Sequence, residues 1–185
     1  MTDLIVFDVD KTLVKGNLHE IIIKYWVGEN KSRVLSHSIF SYFVKLLPHS
    51  MLRRKFEYFP INLISEEDFK KLTINVIDQS MLINTEVLRR INRYKNKGVA
   101  IALVTAAPTK VVRHLSLHFE IPVYASKSFL GVIYDDLLAK KSKVYGKLTA
   151  QGYIIRSIYS DSHLDFKIGS KNFLISDAFK IEKPL

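Results

Sequence analysis

Two aspartates one residue apart end the first apolar stretch of the chain, where residues 4–7 are followed by Asp8-Val9-Asp10. Side chains alternate between the two faces of a strand, so an extended chain would point Asp8 and Asp10 the same way. Converging carboxylates repel each other unless a cation lies beside them, and Mg²⁺ prefers such hard oxygen ligands. The alternative is a surface turn in which aspartate makes local hydrogen bonds and Thr12 caps a helix.

This pair has the residue types that phosphoryl transfer needs. A carboxylate beside Mg²⁺ is a competent nucleophile towards phosphorus, so attack by Asp8 would give an aspartyl-phosphate. We expect Asp10 to protonate the leaving oxygen and later to take a proton from the attacking water. Both aspartates are also candidate metal ligands.

Further groups that suit a bound phosphate and a metal come later in the chain. Thr105 ends the apolar run 99–105, and the amides of Ala106 and Ala107 are expected to open a helix N-terminus, which binds anions. A lysine would neutralise phosphoryl charge: we expect Lys143, with Lys140 and Lys141 as alternatives. Asp161 would complete the metal site, with Asp165 as a second ligand or an orienting group.

The apolar runs predict an α/β fold with a doubly wound parallel sheet. Strands are expected near residues 4–7, 99–105, 122–125, 154–159 and 173–175, and amphipathic helical patterns separate most of them. Ligands of such sheets bind beyond the carboxyl ends of the strands. The acids and Thr105 each follow a predicted strand, so the topology would bring them together.

Residues 15–83 lack this alternation and read as several helices. The predicted domains are therefore an α/β core, residues 1–14 and 84–185, and an all-helical cap domain, residues 15–83. Because the insertion follows the first strand, we expect it to lie over the strand ends as a lid.

These motifs together resemble those of a known superfamily. Asp8-Val9-Asp10-Lys11-Thr12, Thr105, a lysine near Lys143 and Asp161-Ser-His-Leu-Asp165 are similar to the four ordered motifs of haloacid dehalogenase superfamily hydrolases. The phosphoserine phosphatase-like branch of that superfamily carries a helical cap between its first two motifs. The resemblance implies Mg²⁺-dependent phosphoryl chemistry on a Rossmann-like core.

It also implies roles for individual residues: Asp8 as nucleophile, Asp10 as acid and base, Thr105 and Lys143 as phosphate binders, and Asp161 as metal ligand. Three positions depart from the pattern. Lys11 and Ser160 replace common glycines, and Asn17 stands where phosphoserine phosphatases tend to carry a substrate-reading glutamate. That last departure argues against phosphoserine as the substrate.

Composition limits the remaining possibilities. The 185 residues are 48% hydrophobic and include no cysteine, which excludes disulfides and thiolate chemistry. We expect a cytoplasmic, soluble protein, since the sequence offers no signal peptide and no apolar stretch of about 20 residues. The net charge of +10 and the run Arg53-Arg54-Lys55 fit either a solvated helix face or a weak contact with an anionic membrane or nucleic acid.

The sequence thus predicts a Mg²⁺-dependent phosphatase that acts on a small phosphorylated metabolite. Two alternatives remain open. The same site would also suit a phosphotransferase of the phosphomutase kind, and a non-catalytic domain would use the basic cap to bind nucleic acid, membrane or a partner protein.

Overall fold

A computed structural model describes residues 1–28, 31–48, 50–138 and 140–182. Within these ranges six strands form one sheet. They are β1 (Thr2–Phe7), β2 (Ala100–Pro108), β3 (Val123–Phe129), β4 (Val132–Asp135), β5 (Tyr153–Ser160) and β6 (Lys171–Leu174). Their order is β4-β3-β2-β1-β5-β6, and every neighbouring pair is parallel except β3 and β4. The predicted α/β fold is confirmed.

The described helices lie around this sheet and in the segment between β1 and β2. They are α1 (Leu18–Gly28), α2 (Lys31–Leu46), α3 (Ser50–Phe56), α4 (Glu66–Asp78), α5 (Thr85–Asn96), α6 (Thr109–Phe119) and α7 (Lys141–Ala150). A 3-10 helix, Phe59–Leu63, separates α3 from α4. None of the described helices is long and apolar enough to cross a membrane.

Strand β1 is central because its residues are apolar on both faces. Ile5 and Phe7 belong to one buried cluster, whereas Leu4 and Val6 belong to a second cluster on the other face of the sheet. Helices α5 and α6 contribute to the first cluster, and α7 contributes to the second. A parallel strand covered on both faces reads as an unbroken apolar run, as this one does.

The helical insertion, residues 15–83, is packed against the first face. Ile22, Trp26 and Phe69 share one buried cluster with Phe7 and with the apolar residues of α6. Ser65 caps the start of helix α4, since its hydroxyl accepts a hydrogen bond from the Asp68 amide. The separation of core and cap into two domains stays a prediction.

The antiparallel hairpin of β3 and β4 reaches the insertion at its tip. Leu130 and Gly131 both have positive φ, as a two-residue hairpin turn of type I′ requires. A methyl group at Gly131 would lie 2.7 Å from the Cα of Phe59. Glycine therefore permits the close approach between the hairpin and the insertion.

Candidate active site

The carboxyl ends of three adjacent strands bring the expected residues to one pocket. Asp8 follows β1, Thr105 lies in β2 and Asp161 follows β5, and β1 pairs with both of the other strands. The pocket holds about 220 Å³. Its walls include, from the sheet side, Asp8, Asp10, Thr105, Ala106, Lys141, Asp161 and Asp165, and from the insertion Asn17, His19, Arg54, Glu57 and Tyr58. We call it the acidic pocket.

Three carboxylates in the acidic pocket are close enough to share a cation. Asp8, Asp161 and Asp165 each offer an oxygen, and these oxygens all lie within 4.8 Å of one another. Three hard oxygen donors fit Mg²⁺, which is bound by carboxylates and keeps several waters. The donor set therefore suits the ion that the sequence predicted.

The carboxylate of Asp10 lies outside this group of three, and its role as a metal ligand stays a prediction. Its Oδ1 accepts a hydrogen bond of 2.7 Å from the amide of Leu18, the first residue of α1. The partial positive charge of a helix N-terminus stabilises such a carboxylate. Burial nevertheless raises the pKa of Asp10, although the bond from Leu18 acts in the opposite direction. This aspartate is suited to holding a proton.

The lysine that faces Asp8 is Lys141, not Lys143. Its Nζ lies 2.7 Å from Asp8 Oδ2 and 2.6 Å from Asp165 Oδ2, and all three side chains are buried. Lys143 is exposed and does not line the acidic pocket. The first choice, Lys143, is thus replaced by its alternative Lys141 as the lysine beside Asp8, because a shift of two residues turns a helical side chain to a different face.

Helical periodicity could have selected Lys141. Val144, Tyr145 and Leu148 are the buried apolar residues of α7. They stand three, four and seven positions after Lys141, which is the spacing of a single helix face. Lys143 does not fit this series.

Ser160, which the sequence showed only as a replacement for a common glycine, also belongs to the site. Its hydroxyl is fully buried, 2.6 Å from Asp165 Oδ2 and 3.4 Å from Asp8 Oδ2. Ser160 and Lys141 both contact Asp165 Oδ2, and Asp165 stays a candidate second ligand or orienting group. Its position at the end of β5, directly before Asp161, was the available signal.

The charges in this cluster influence each other strongly. Burial raises the pKa of Asp8 to about 7, even though the Lys141 ammonium favours the ionised carboxylate. Burial lowers the pKa of Lys141, but Asp8 and Asp165 outweigh that effect and raise it. Burial also raises the pKa of Asp161. A divalent cation would relieve the cost of keeping these carboxylates ionised together.

Thr105 is buried in the acidic pocket, and its Oγ1 accepts a hydrogen bond of 3.1 Å from the amide of Ala107. The expected helix N-terminus at Ala106 and Ala107 is wrong, since β2 continues to Pro108 and α6 begins at Thr109. Pro108 is the N-cap residue, and the two alanines before it are extended. Ala106 lines the pocket but does not belong to a helix.

The insertion closes the pocket with a linked set of polar side chains. Arg54 donates to Glu57 at 3.0 Å and to the Tyr58 hydroxyl at 2.6 Å. It also donates to the Ala106 carbonyl at 2.8 Å, which ties α3 to the sheet. His19 Nε2 lies 3.1 Å from Glu57 Oε1. The sequence revealed the basic run around Arg54 but not which of its side chains faces the site.

Comparisons with known proteins agree with this geometry. A sequence model of the haloacid dehalogenase-like hydrolases matches residues 5–170. No curated protein matches the sequence.

Three solved structures share the fold. A protein of unknown function from Bordetella pertussis Tohama I is 17% identical, with a TM-score of 0.65 over 89% of this chain and 84% of that one. A phosphoserine phosphohydrolase-like protein from Francisella tularensis subsp. tularensis SCHU S4 is 16% identical (TM-score 0.52, 89% and 80% covered). A phospho-aspartyl intermediate analogue of phosphoserine phosphatase is 17% identical (TM-score 0.53, 89% and 80% covered). Because the sequence identities are this low, the likenesses establish the fold alone.

Proposed function

Since this chain belongs to the haloacid dehalogenase-like hydrolases, we propose that it is a Mg²⁺-dependent phosphatase that hydrolyses a small phosphomonoester through an aspartyl-phosphate on Asp8. One observation carries the proposal: Asp8, Asp161 and Asp165 converge within 4.8 Å, and a buried lysine lies against the first and last of them. Carboxylates held this closely at the end of a buried strand suit a cation and an incoming phosphoryl group.

Asp8 and Asp161 would hold the ion, with Asp165 behind them. When bound, Mg²⁺ neutralises negative charge on the phosphoryl oxygens and so favours attack by an anion. The group of donors contains no thiolate or imidazole, which fits a hard cation.

In the first step a carboxylate oxygen of Asp8 forms a bond to phosphorus while the ester P–O bond breaks. Asp10 gives its proton to the departing oxygen, a role supported by its raised pKa. The Lys141 ammonium, 2.7 Å from Asp8 Oδ2, lies where negative charge accumulates during this attack. Thr105 offers its buried hydroxyl to the phosphoryl oxygens from the neighbouring strand.

In the second step a water molecule attacks the phosphorus of the aspartyl-phosphate. Asp10 takes the proton of that water, the bond between Asp8 and phosphorus breaks, and inorganic phosphate leaves. Arg54 and Glu57 of the insertion line the pocket, so the insertion would limit the access of other waters to the intermediate.

The test is turnover of p-nitrophenyl phosphate by the purified protein with Mg²⁺ and with excess EDTA. We expect Mg²⁺-dependent release of inorganic phosphate that Asp8→Asn lowers by at least about a thousandfold, since the nucleophile is lost. Asp177→Asn, at an exposed aspartate outside the acidic pocket, is the matched control. Unchanged turnover in Asp8→Asn would overturn the proposal, and phosphate transfer to an added alcohol without free phosphate would favour a phosphotransferase.

A further inference from the structure

A second cavity, in the insertion, directly adjoins the acidic pocket. It holds about 550 Å³ and lies between α1, α2 and the segment 57–60. His19 and Glu57 line both cavities and therefore form their shared boundary. We call it the insertion cavity.

The walls of the insertion cavity differ in chemistry from those of the acidic pocket. Its apolar lining comes from two facing helices and the 3-10 helix: Ile23, Val27, Phe40, Val44 and Pro60. Phe40 is held in place by stacking on Phe59, with ring centroids 5.1 Å apart. Lys24 and Lys45 also line the cavity, but its apolar residues can remove an apolar group from water.

The acidic pocket and the insertion cavity also differ in volume. The acidic pocket, at about 220 Å³, is less than half the size of the insertion cavity, at about 550 Å³. Cavities that bind small organic molecules span about 300–1,000 Å³, a range that includes the insertion cavity. An alcohol portion too large for the acidic pocket has the insertion cavity next to it, across His19 and Glu57.

We propose that the insertion cavity binds the alcohol portion of the substrate, and that this portion carries an apolar chain or ring. The inference rests on the proposed function. The phosphate would lie against Asp8 and Lys141, and the ester would pass the His19–Glu57 pair. The physiological substrate is thus an amphipathic phosphomonoester and not a small polar metabolite such as a phosphoamino acid.

His19 provides a second, independent observation at the boundary. Its side chain is 4% exposed, and its Nδ1 atom is buried without a hydrogen-bond partner among the described residues. A buried polar atom without a partner costs free energy unless a ligand or water supplies one. The atom has no exposed surface, so a ligand oxygen at this boundary becomes its partner only when the His19 ring turns.

The experiment compares the hydrolysis of ethyl, butyl, hexyl and octyl phosphate, each below its micelle-forming concentration, with Mg²⁺ present. We expect kcat/KM to rise about threefold to fourfold for each methylene that enters the cavity and then to level off when the cavity is full. p-Nitrophenyl phosphate is assayed in parallel as a substrate whose turnover tests the phosphatase chemistry alone.

Two variants reduce the cavity from opposite walls. Gly28, at the end of α1, lines the cavity, and a Cβ added there would meet nothing within 4 Å. Gly28→Leu should therefore lower the ratio of octyl to ethyl kcat/KM by at least about tenfold. Val44→Phe on α2 fills the same space and should act likewise. Gly146→Leu is the matched control, since Gly146 is also helical, equally unobstructed and in α7.

The outcomes separate the two proposals. Hydrolysis of p-nitrophenyl phosphate with equal kcat/KM from ethyl to octyl phosphate would overturn the cavity inference and leave the phosphatase intact. An octyl-to-ethyl ratio that falls equally in Gly28→Leu and Gly146→Leu would also overturn it. No Mg²⁺-dependent turnover of any of these esters would remove the proposed function, and the inference with it.

Discussion

At the scale of single residues, the site depends on a buried ammonium shared by two carboxylates. Lys141 contacts both Asp8 and Asp165, and all three side chains are almost fully removed from water. Burying ions is costly, so such a group is stable only when each charge is compensated. The same compensation would serve a phosphoryl group, because it places fixed positive charge beside the reacting carboxylate.

We expect Lys141→Met to lower kcat by at least about a hundredfold and to destabilise the protein by about 3 kcal/mol, since it leaves two buried carboxylates without their cation. Urea denaturation and p-nitrophenyl phosphate turnover measure the two effects. Lys143→Met, two residues away on the exposed face of α7, is the control and should change neither. Equal losses in both variants would show that Lys141 has no special role.

The raised pKa of Asp8 leads to a second prediction, for the metal-free protein. Because burial raises this pKa from 3.8 to about 7, the folded state holds a proton that the unfolded chain has released between those two pH values. The contribution of Asp8 to the free energy of unfolding is therefore fully favourable below about pH 4 and decreases as the pH rises towards 7. Asp8→Asn, whose amide does not ionise, lacks this decrease.

Urea denaturation in EDTA at pH 4.5, 5.5 and 7 provides the measurement. The stability of Asp8→Asn relative to the unsubstituted protein should increase across the series, by about 1 kcal/mol or more, since one pKa unit corresponds to about 1.4 kcal/mol. A relative stability that stays constant or decreases with pH would contradict the assignment.

At the scale of elements, helix α3 is fastened to the sheet through one side chain. Arg54 donates to the carbonyl of Ala106, next to Thr105, and to Asp136 Oδ2 at 3.4 Å. It also holds Glu57 and Tyr58, which line the acidic pocket. The helix therefore fixes the position of the insertion over the strand ends.

Arg54→Ala should lower kcat/KM about 10-fold to 150-fold, because hydrogen bonds to a charged group contribute about 1.5–3 kcal/mol to the closed arrangement. Arg53→Ala is a matched control, since Arg53 is exposed and its Nε donates only within the insertion, to the Leu47 carbonyl. Steady-state kinetics and limited proteolysis of the insertion would record the change. Similar kinetics for the two variants would exclude a fastening role for Arg54.

One side of helix α2 lines the insertion cavity, and its opposite side presents apolar side chains to solvent. Ile39, Tyr42, Phe43 and Leu46 recur at helical spacing, and each is at least 50% exposed. Residues 31–56 contain six lysines and arginines and no acidic residue. An exposed apolar stripe within a basic segment favours contact with an anionic membrane surface.

We therefore expect the protein to float with vesicles that contain anionic phospholipid at low salt, and to be released as the salt concentration rises. Phe43→Ser should reduce flotation severalfold. Leu117→Ser, at an equally exposed apolar residue of α6, is the control. Equal retention on vesicles of neutral lipid, or equal flotation of both variants, would count against this surface.

At the scale of the whole molecule, the sheet brings carboxylates from distant segments of the chain into one cluster. Asp8 and Asp161 are separated by most of the chain, and they meet because β1 and β5 are neighbours in the sheet. An ion that binds the folded state but not the unfolded chain stabilises the entire fold.

Saturating Mg²⁺ should accordingly raise the melting temperature by about 5–10 °C, since binding at a hundred times Kd contributes about 2.7 kcal/mol and a domain of this size gains about 2–4 °C per kcal/mol. Asp161→Asn should abolish most of that rise, whereas Asp177→Asn should retain it. Differential scanning calorimetry with Mg²⁺ and with EDTA tests this. A rise that persists in Asp161→Asn would mean that the ion binds elsewhere.

The sequence by itself determined the fold class and the acids at the strand ends. Both follow from local patterns: an apolar run predicts a central strand, and a carboxylate directly after it must lie at the ligand-binding edge. The ends of helices and strands were harder to predict from the sequence. Strand β2 continues past Thr105 to Pro108, where the start of a helix was expected. Alanine favours a helix locally, so the surrounding sheet overrides the local preference of Ala106 and Ala107.

Only the tertiary structure decided which side chains meet. It selected Lys141 over Lys143, turned Asp10 towards the amide of Leu18, and brought Ser160 between Asp8 and Asp165. It also formed the insertion cavity between helices that the sequence could identify but not orient. The reason is geometric: periodicity defines the faces of an element, whereas the partner of each face depends on contacts between residues far apart in the chain.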